Sequence, residues 1–339
     1  MLVPTAVYVG TATVAVVVCL LVSVDRRVLG ELGWALALQL WFLPLYLLLV
    51  LLTPLLLALY RRVGLWLLVV FVALAAVVDV LVFGPDIPVV GTANYLFVWG
   101  GMFLLGFAWH DGALRGIRPL LMIVVGAVAW VLLVTVGPFP ISLIGVPGAR
   151  IENDSPPSLA LFSYALVAIG LLVLAEPAAN RWLRNPRRWR RVSAGNRTTM
   201  GLYLWHMAPA MAAAAVIYPL GLFPDEAPGT GAWWLLRLAW VILLAALLVP
   251  LIVLVSLVPR PPARAARHQW GTGAWITLLV ALGAVGYALE MYAIHGFAPS
   301  GHFPWHILLP FAAGVLLVVV ACGRERRGAT SVEGAGPVT

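Results

Sequence analysis

The sequence predicts an all-α fold, a polytopic bundle of about ten transmembrane helices with both termini in the cytoplasm. Three observations favour this fold: hydrophobic residues make up 63% of the chain, charged residues make up only 10%, and long apolar runs recur along its 339 residues. An ordinary soluble domain has about 25% charged residues, so this chain cannot cover a globule with polar surface. The composition excludes a soluble enzyme, and it also excludes intrinsic disorder, which requires high charge and low hydrophobicity.

Ten apolar runs define the predicted spans. Turn-forming residues separate several of them, as at Gly84-Pro85-Asp86 and Gly137-Pro138. The predicted spans are, in order, Thr5–Ser23, Trp41–Tyr60, Gly64–Phe83, Ala93–Trp109, Pro119–Val136, Pro157–Ala175, Thr198–Tyr218, Ala232–Leu257, Ala274–Ile294 and Pro304–Cys322. They form one predicted transmembrane domain over residues 1–323. A polar, Gly-rich cytoplasmic tail over residues 324–339 follows, and we expect it to be disordered.

The distribution of arginine predicts the orientation of the bundle. Of the 21 basic residues, all arginines, seventeen lie in the C-terminal tail or in loops after even-numbered spans. Only three lie in loops after odd-numbered spans, and Arg237 lies within a span. Cytoplasmic loops are enriched in basic residues, so the even-numbered loops and both termini are predicted to be cytoplasmic. The net charge of +8 is then a determinant of topology, and we expect no nucleic-acid partner.

Charged side chains inside predicted spans are candidates for function, because each costs several kcal/mol in hydrocarbon. Asp79 lies near the predicted outer end of the third span, and Arg237 lies near that of the eighth. The two can pair, either as a structural ion pair or as the lining of an outward-facing polar pocket. Glu176, at the inner boundary, is predicted to pair with Arg181.

His206 is the other main candidate, because a neutral imidazole within a span can act as a general base or bind a substrate. The alternative is a structural histidine that hydrogen-bonds a neighbouring helix. The predicted site thus has His206 and Asp79 as catalytic residues and Asn94, Tyr203 and Arg237 as substrate-binding residues.

Other site chemistry has little support in the sequence. The chain contains no phosphate-binding loop, no nucleophile elbow and no HExxH zinc motif. His295, His302 and His306 lie near one another, but no carboxylate accompanies them at a ligand spacing. We expect no metal and no bound cofactor.

Several short motifs occur in a fixed order between Leu40 and His206. They include Leu40-Trp41-Phe42-Leu43-Pro44-Leu45-Tyr46-Leu47, Asn94-Tyr95-Leu96-Phe97-Val98-Trp99, Leu105-Gly106-Phe107-Ala108-Trp109, Pro156-Pro157-Ser158-Leu159-Ala160-Leu161, Glu176-Pro177 and Met200-Gly201-Leu202-Tyr203-Leu204-Trp205-His206. The last is the most specific of them. Together they resemble the membrane-bound acyltransferase-3 family, in its actinobacterial branch.

This resemblance implies an O-acyltransferase of the bacterial plasma membrane. Family members move an acyl group, often acetyl, from a cytosolic acyl-CoA to a hydroxyl on an extracytoplasmic glycan or lipid-linked sugar. Acyl-CoA, with acetyl-CoA as the main case, is then the expected co-substrate. The expected partners are the lipid bilayer and a saccharide of the cell envelope. In the family motif, His206 is expected to be structural or to orient the substrate.

The beginning of the sequence departs from the family pattern. The family starts with a span that carries an arginine and a histidine usually taken as catalytic, followed by a second span and an Arg-x-x-Arg-Leu element. This chain opens with Met1-Leu2-Val3-Pro4-Thr5, which resembles the sequence just after that element. We therefore expect the two leading spans to be missing, through a late-assigned start or a truncation.

Two other functions remain open at this stage. One is a transporter or flippase for an envelope lipid or saccharide, with the buried charges lining its path. Transporters often contain inverted repeats, and we find no internal symmetry of that kind in this sequence. The other is a non-catalytic, truncated remnant of an acyltransferase.

Overall fold

The fold is helical throughout the part of the chain that the structure covers. The computed structural model describes residues 2–145, 151–217, 220–222, 224, 226–227, 229–256 and 272–333, and only the backbone of residues 256, 272 and 322–333. Within these ranges there is no β-strand. The α-helices are α1 (Leu2–Leu21), α2 (Arg26–Ala37), α3 (Phe42–Val63), α4 (Trp66–Phe83), α5 (Asn94–His110), α6 (Arg118–Thr135), α7 (Leu159–Leu183), α8 (Pro186–Trp205), α9 (Met207–Ile217), α10 (Gly231–Ser256), α11 (Thr272–His295) and α12 (Trp305–Glu333).

The predicted transmembrane character is confirmed. Among the described residues, eight helices are long and apolar enough to cross a membrane, or up to nine if the bent pair α8 and α9 counts as one span. The apolar part of α12, Trp305–Ala321, is shorter. The cytoplasmic termini stay a prediction, and Arg150, Arg260, Arg264 and Arg267, which contribute to it, lie outside the described residues.

The C-terminal tail also stays a prediction of the sequence. The backbone of α12 continues past the predicted boundary at Gly323 to Glu333, and residues 334–339 lie outside the described ranges.

The structure differs from the predicted spans between Ser23 and Trp41, where the sequence predicts a loop. These residues form α2 and a 3-10 turn, Leu38–Trp41, that leads into α3. The side chain of Asp25 caps α2 by accepting hydrogen bonds from the backbone N–H groups of Arg27 (2.9 Å) and Val28 (3.1 Å). Because α2 has charged residues and only twelve positions, a search for long apolar runs does not detect it.

The seventh predicted span, Thr198–Tyr218, is also wrong as a single straight helix. It consists of the end of α8 and the whole of α9, which meet at His206 with a bend of 44°. Pro209 explains the break, since proline has no N–H to donate to the carbonyl of Trp205 and its ring clashes with that group.

The chain divides into two compact units. The first comprises Met1–Leu47 and Arg191–Thr339, and its core contains large buried side chains such as Leu40, Leu204 and Tyr292. The second comprises Leu48–Arg190. In the second unit, Gly126 lets α6 approach α7 closely: a Cβ there would lie 2.6 Å from the carbonyl oxygen of Ser163. Small residues at such contacts are typical of helix packing in membranes.

Candidate functional site

His206 lies at the break between α8 and α9, with its side chain exposed. Its Nδ1 is 2.7 Å from the carbonyl oxygen of Tyr203. A carbonyl oxygen can only accept, so Nδ1 carries the proton and donates it to this bond. In the neutral ring, Nε2 is then the unprotonated nitrogen, available to accept a proton from another molecule.

A buried hydrogen-bond network holds the residues beside His206. The side-chain nitrogen of Gln39 donates to the hydroxyl of Tyr8 (2.6 Å) and to the carbonyl oxygen of Leu204 (3.0 Å). The hydroxyl of Tyr8 in turn donates to the carbonyl oxygen of Leu36 at 2.6 Å. The hydroxyl of Tyr203 donates to the backbone carbonyl oxygen of Gln39. These hydrogen bonds connect α1, the 3-10 turn and α8, and the bond to Leu204 lies two residues before His206.

Gln39 also brings an unused acceptor to this region. Its side chain is only 6% exposed, and no donor among the described residues reaches its Oε1. A buried amide oxygen without a donor costs free energy, about 1–3 kcal/mol, so such an atom is a candidate for binding a ligand.

A cavity of about 470 Å³ opens in front of His206 within the first unit. It is lined by Leu38, Gln39, Trp41, Phe42, Tyr203, His206 and Met207. Its wall is mostly apolar and aromatic, with a few polar groups, which is the usual composition of a small-molecule site. The structure therefore brings two of the predicted site residues, His206 and Tyr203, into one cavity. We name this cavity, with its seven lining residues, the His206 cavity.

Asp79 and Asn94 form a second polar cluster, in the second unit. Asp79 is 7% exposed and Asn94 is 1% exposed. One carboxylate oxygen of Asp79 accepts a hydrogen bond from the side-chain nitrogen of Asn94 at 2.7 Å, and the other accepts one from the backbone N–H of Leu159 at 2.9 Å. Leu159 is the first residue of α7, so the carboxylate lies at the positive end of that helix. Asp79 thus connects α4, α5 and the start of α7.

Buried side chains also support the start of α7. Ser158 caps the helix by accepting from the backbone N–H of Leu161 at 3.3 Å, and its hydroxyl donates to the side-chain oxygen of Asn153 at 2.7 Å. Asn153 is fully buried, and its amide nitrogen donates to the carbonyl oxygens of Pro140 and Ser142, each at 2.7 Å. The cluster around Asp79 therefore belongs to a well-connected part of the fold.

Arg237 lies on α10 in the first unit, exposed, with its guanidinium 4.9 Å from the ring centre of Trp233. Its pairing with Asp79 stays a prediction.

The partner predicted for Glu176, Arg181, is wrong. One carboxylate oxygen of Glu176 accepts a hydrogen bond from the indole N–H of Trp109 at 2.7 Å, and the other accepts one from the side-chain nitrogen of Asn180 at 3.4 Å. Asn180 is four residues after Glu176 in α7 and therefore lies on the same face of the helix, whereas Arg181 is five residues after it and lies off that face.

Gln39 is the residue that sequence reasoning missed. A glutamine between Leu38 and Leu40, just before the aromatic pair Trp41-Phe42, is an exception to the apolar pattern there. The sequence predicts a loop between the first two spans, and a polar residue is ordinary in a loop. Gln39 was therefore not recognised as a site residue.

A family model, described as an acyltransferase domain, matches residues 2–259. The chain belongs to this acyltransferase family. The match covers most of the chain and includes the His206 cavity and the Asp79 cluster. No curated protein and no solved structure matches the chain. The protein is a multi-pass membrane protein with an acyltransferase domain; the actinobacterial branch and the O-acetyltransferase subtype stay predictions.

Proposed function

We propose that the protein is an integral-membrane O-acyltransferase of the bacterial plasma membrane. It moves an acyl group, acetyl in the simplest case, from cytosolic acyl-CoA to a hydroxyl of a cell-envelope glycan or lipid-linked saccharide. The acyltransferase family and the apolar helices support the reaction class and the membrane. The observation that carries the proposal is the orientation of His206, whose Nδ1 is bound to the protein while its Nε2 is available beside an open cavity.

In this proposal His206 is the general base. Its Nε2 takes the proton of the acceptor hydroxyl as the hydroxyl oxygen forms a bond to the thioester carbonyl carbon. The tetrahedral intermediate collapses by breaking the carbon–sulfur bond. The imidazolium then returns the proton to the thiolate, and the products are the O-acyl saccharide and free CoA. The carbonyl of Tyr203 holds the ring in the required tautomer throughout.

The wall of the His206 cavity suits a sugar. Trp41, Phe42 and Tyr203 offer aromatic faces, against which the C–H faces of a pyranose can pack. The unused Oε1 of Gln39 can accept a hydrogen bond from a sugar hydroxyl or amide, and this would remove the cost of leaving it unpaired.

A second cavity, in the second unit, suits the acyl donor. It has a volume of about 390 Å³ and is lined by Trp109, His110, Arg115 and Glu176 among others. It lies at the end of α5, which the arginine distribution predicts to be cytoplasmic. Arg115 provides a positive charge for a phosphate of CoA.

A transfer assay tests this function. The purified chain in phosphatidylcholine nanodiscs is supplied with radiolabelled acetyl-CoA and extracted envelope glycan, and both label on the glycan and free CoA thiol are measured. Wild-type protein is expected to give equal amounts of the two products. His206→Gln is expected to lose transfer, whereas His306→Gln, at another exposed histidine, is expected to retain it. Equal transfer by the two variants would overturn the role of His206, and movement of unmodified glycan across the membrane without CoA release would favour a transporter.

A further inference from the structure

The helix α2, which precedes the His206 cavity, has one buried face and one open face. Leu29, Gly33 and Ala37 are buried. At Gly33 a Cβ would lie 2.9 Å from the backbone nitrogen of Ala298, so this face is pressed against the segment that follows α11. The opposite face carries Arg27, Glu31 and Trp34 and continues to Leu38, the first residue of the 3-10 turn; all four are exposed and recur at helical spacing. We call these four residues the open face of α2.

Two arginines stand at the start of this helix. The Nη1 of Arg26 donates to the Nε2 of His302 at 2.9 Å, and the Nε of Arg27 donates to a carboxylate oxygen of Glu31 at 3.0 Å. A guanidinium has five N–H groups, and these contacts use one on each arginine. The side chain of Arg27 is 87% exposed, so its terminal nitrogens face solvent.

The position of these arginines disagrees with two general rules. Cations are unfavourable in the first turn of a helix, where the backbone already presents partial positive charge. Arginines are also depleted in extracytoplasmic loops, and Arg26 and Arg27 are two of the three arginines in loops predicted to face outside. Charges placed against such general rules are typical of functional sites, where a ligand of opposite charge can bind.

The start of α2 also has room for a ligand. A cavity of about 700 Å³ is lined by Arg26, Arg27, Gly30, Glu31, Trp34, Ala35 and Ser300. Trp34, which is exposed, provides an aromatic side chain in the same cavity. Farther along the open face, Leu38 lines the His206 cavity. At a rise of about 1.5 Å per residue, the arginines and the His206 cavity are separated by about 18 Å along the helix.

We propose that the open face of α2, with Arg26, binds an elongated acceptor that carries a lipid-linked phosphate. The phosphate binds Arg26 and Arg27, the adjoining sugar packs against Trp34, and the sugar that bears the hydroxyl reaches the His206 cavity. Bidentate contact with a phosphate is a particular property of arginine, and the two guanidinium groups that line this cavity, which outnumber its one carboxylate, Glu31, give the charge complementarity that selects an anionic acceptor. This inference rests on the proposed function and assigns the class of its acceptor.

A binding experiment tests this site without depending on transfer. The probes are a monosaccharide linked to polyprenyl phosphate and the same glycosyl polyprenol without phosphate, each titrated against the chain in phosphatidylcholine nanodiscs by native mass spectrometry. The wild-type chain is expected to bind the phosphate-bearing probe at least about tenfold more tightly than the neutral one. Arg27→Gln alone should remove a large part of this preference, and Arg26→Gln with Arg27→Gln should abolish it.

The controls separate this site from a general attraction to anions. Arg61→Gln with Arg62→Gln removes another exposed arginine pair, at the end of α3, and should leave the preference unchanged. Phosphatidylglycerol and inorganic phosphate should compete only weakly. A wild-type chain that binds the phosphate-bearing probe with the expected preference but does not transfer the label would contradict the proposed function and leave this inference intact. Equal binding of the two probes, an unchanged preference in Arg27→Gln with Arg26→Gln, or full competition by phosphatidylglycerol would overturn the inference.

Discussion

The two units use their polar side chains in different ways. In the second unit, both carboxylate oxygens of Asp79 are occupied by protein donors, and the side chain is buried. In the first unit, His206 has one nitrogen bound to the protein, and the other is available at an open cavity. A polar group whose atoms are all engaged by the protein stabilises the fold, whereas a group with one available atom at a cavity can act on a ligand. Under the proposed function, this difference predicts a structural role for Asp79 and a chemical role for His206.

The largest expected effect is on catalysis, from removing the imidazole. His206→Ala should lower the rate of acyl transfer by about a hundred- to ten-thousand-fold, the usual range for a general base. The unfolding temperature should change little, because the side chain is exposed and its one described hydrogen bond is local. Added imidazole should restore part of the rate by entering the cavity that the substitution enlarges.

Chemical rescue tests whether His206 differs in role from Asp79. His306→Ala, with no expected loss of rate, serves as the control. A loss of folded His206→Ala protein instead of a loss of rate would make His206 structural, like Asp79.

The next largest effect is on stability, from Asp79→Ala. This change leaves the side-chain nitrogen of Asn94 and the N–H of Leu159 without their acceptor, at an expected cost of about 2–5 kcal/mol in the free energy of unfolding. Thermal unfolding in detergent measures it, with Asp111→Ala, at an exposed carboxylate, as the control. If Asp79→Ala left stability unchanged and abolished transfer, the two roles would be reversed.

Helix packing in the second unit gives a third, smaller effect. Gly126→Ala is expected to destabilise the protein by about 1–3 kcal/mol, because its Cβ would meet the backbone of α7. Gly106→Ala, in α5, is the matched control, since a Cβ there meets nothing within 4 Å. It should be neutral or slightly stabilising. Similar melting temperatures for the two variants would contradict the close approach of α6 and α7.

Tyr203→Phe is expected to have the smallest effect. It removes the hydrogen bond from the tyrosine hydroxyl to the carbonyl oxygen of Gln39 and retains the aromatic ring. The expected loss is about 1 kcal/mol in the free energy of unfolding, with a severalfold change in the KM for the acceptor and a smaller one in kcat. A loss of kcat as large as that of His206→Ala would make the hydroxyl a participant in the reaction.

Much of the fold could be predicted from the sequence, because long apolar runs can be recognised from composition alone. A run of about 20 apolar residues that crosses a membrane forms a helix, since the helix satisfies its backbone hydrogen bonds internally. The helix α2 could not, since it is short and its charged residues interrupt the hydropathy pattern. The bend at His206 has a local signal, Pro209, but its size depends on packing that no sequence pattern specifies.

The site could be predicted in part. Asp79, Asn94, Tyr203 and His206 stand out as polar residues in apolar surroundings, and the structure gives each of them specific hydrogen bonds. Their division into two clusters depends on contacts between distant segments, such as Asp79 with Leu159. Gln39 could be recognised as a site residue only from the structure, which shows its hydrogen bond to the carbonyl oxygen of Leu204.

In the proposed reaction His206, and not Asp79, carries out the chemistry. The most direct test is the rate of acyl transfer per folded molecule for His206→Ala and Asp79→Asn, measured side by side with labelled acetyl-CoA. We expect His206→Ala to lose at least about a hundredfold in rate, and Asp79→Asn to retain the wild-type rate in the fraction that folds. A wild-type rate in His206→Ala, with a loss confined to Asp79→Asn, would show that His206 is not the general base.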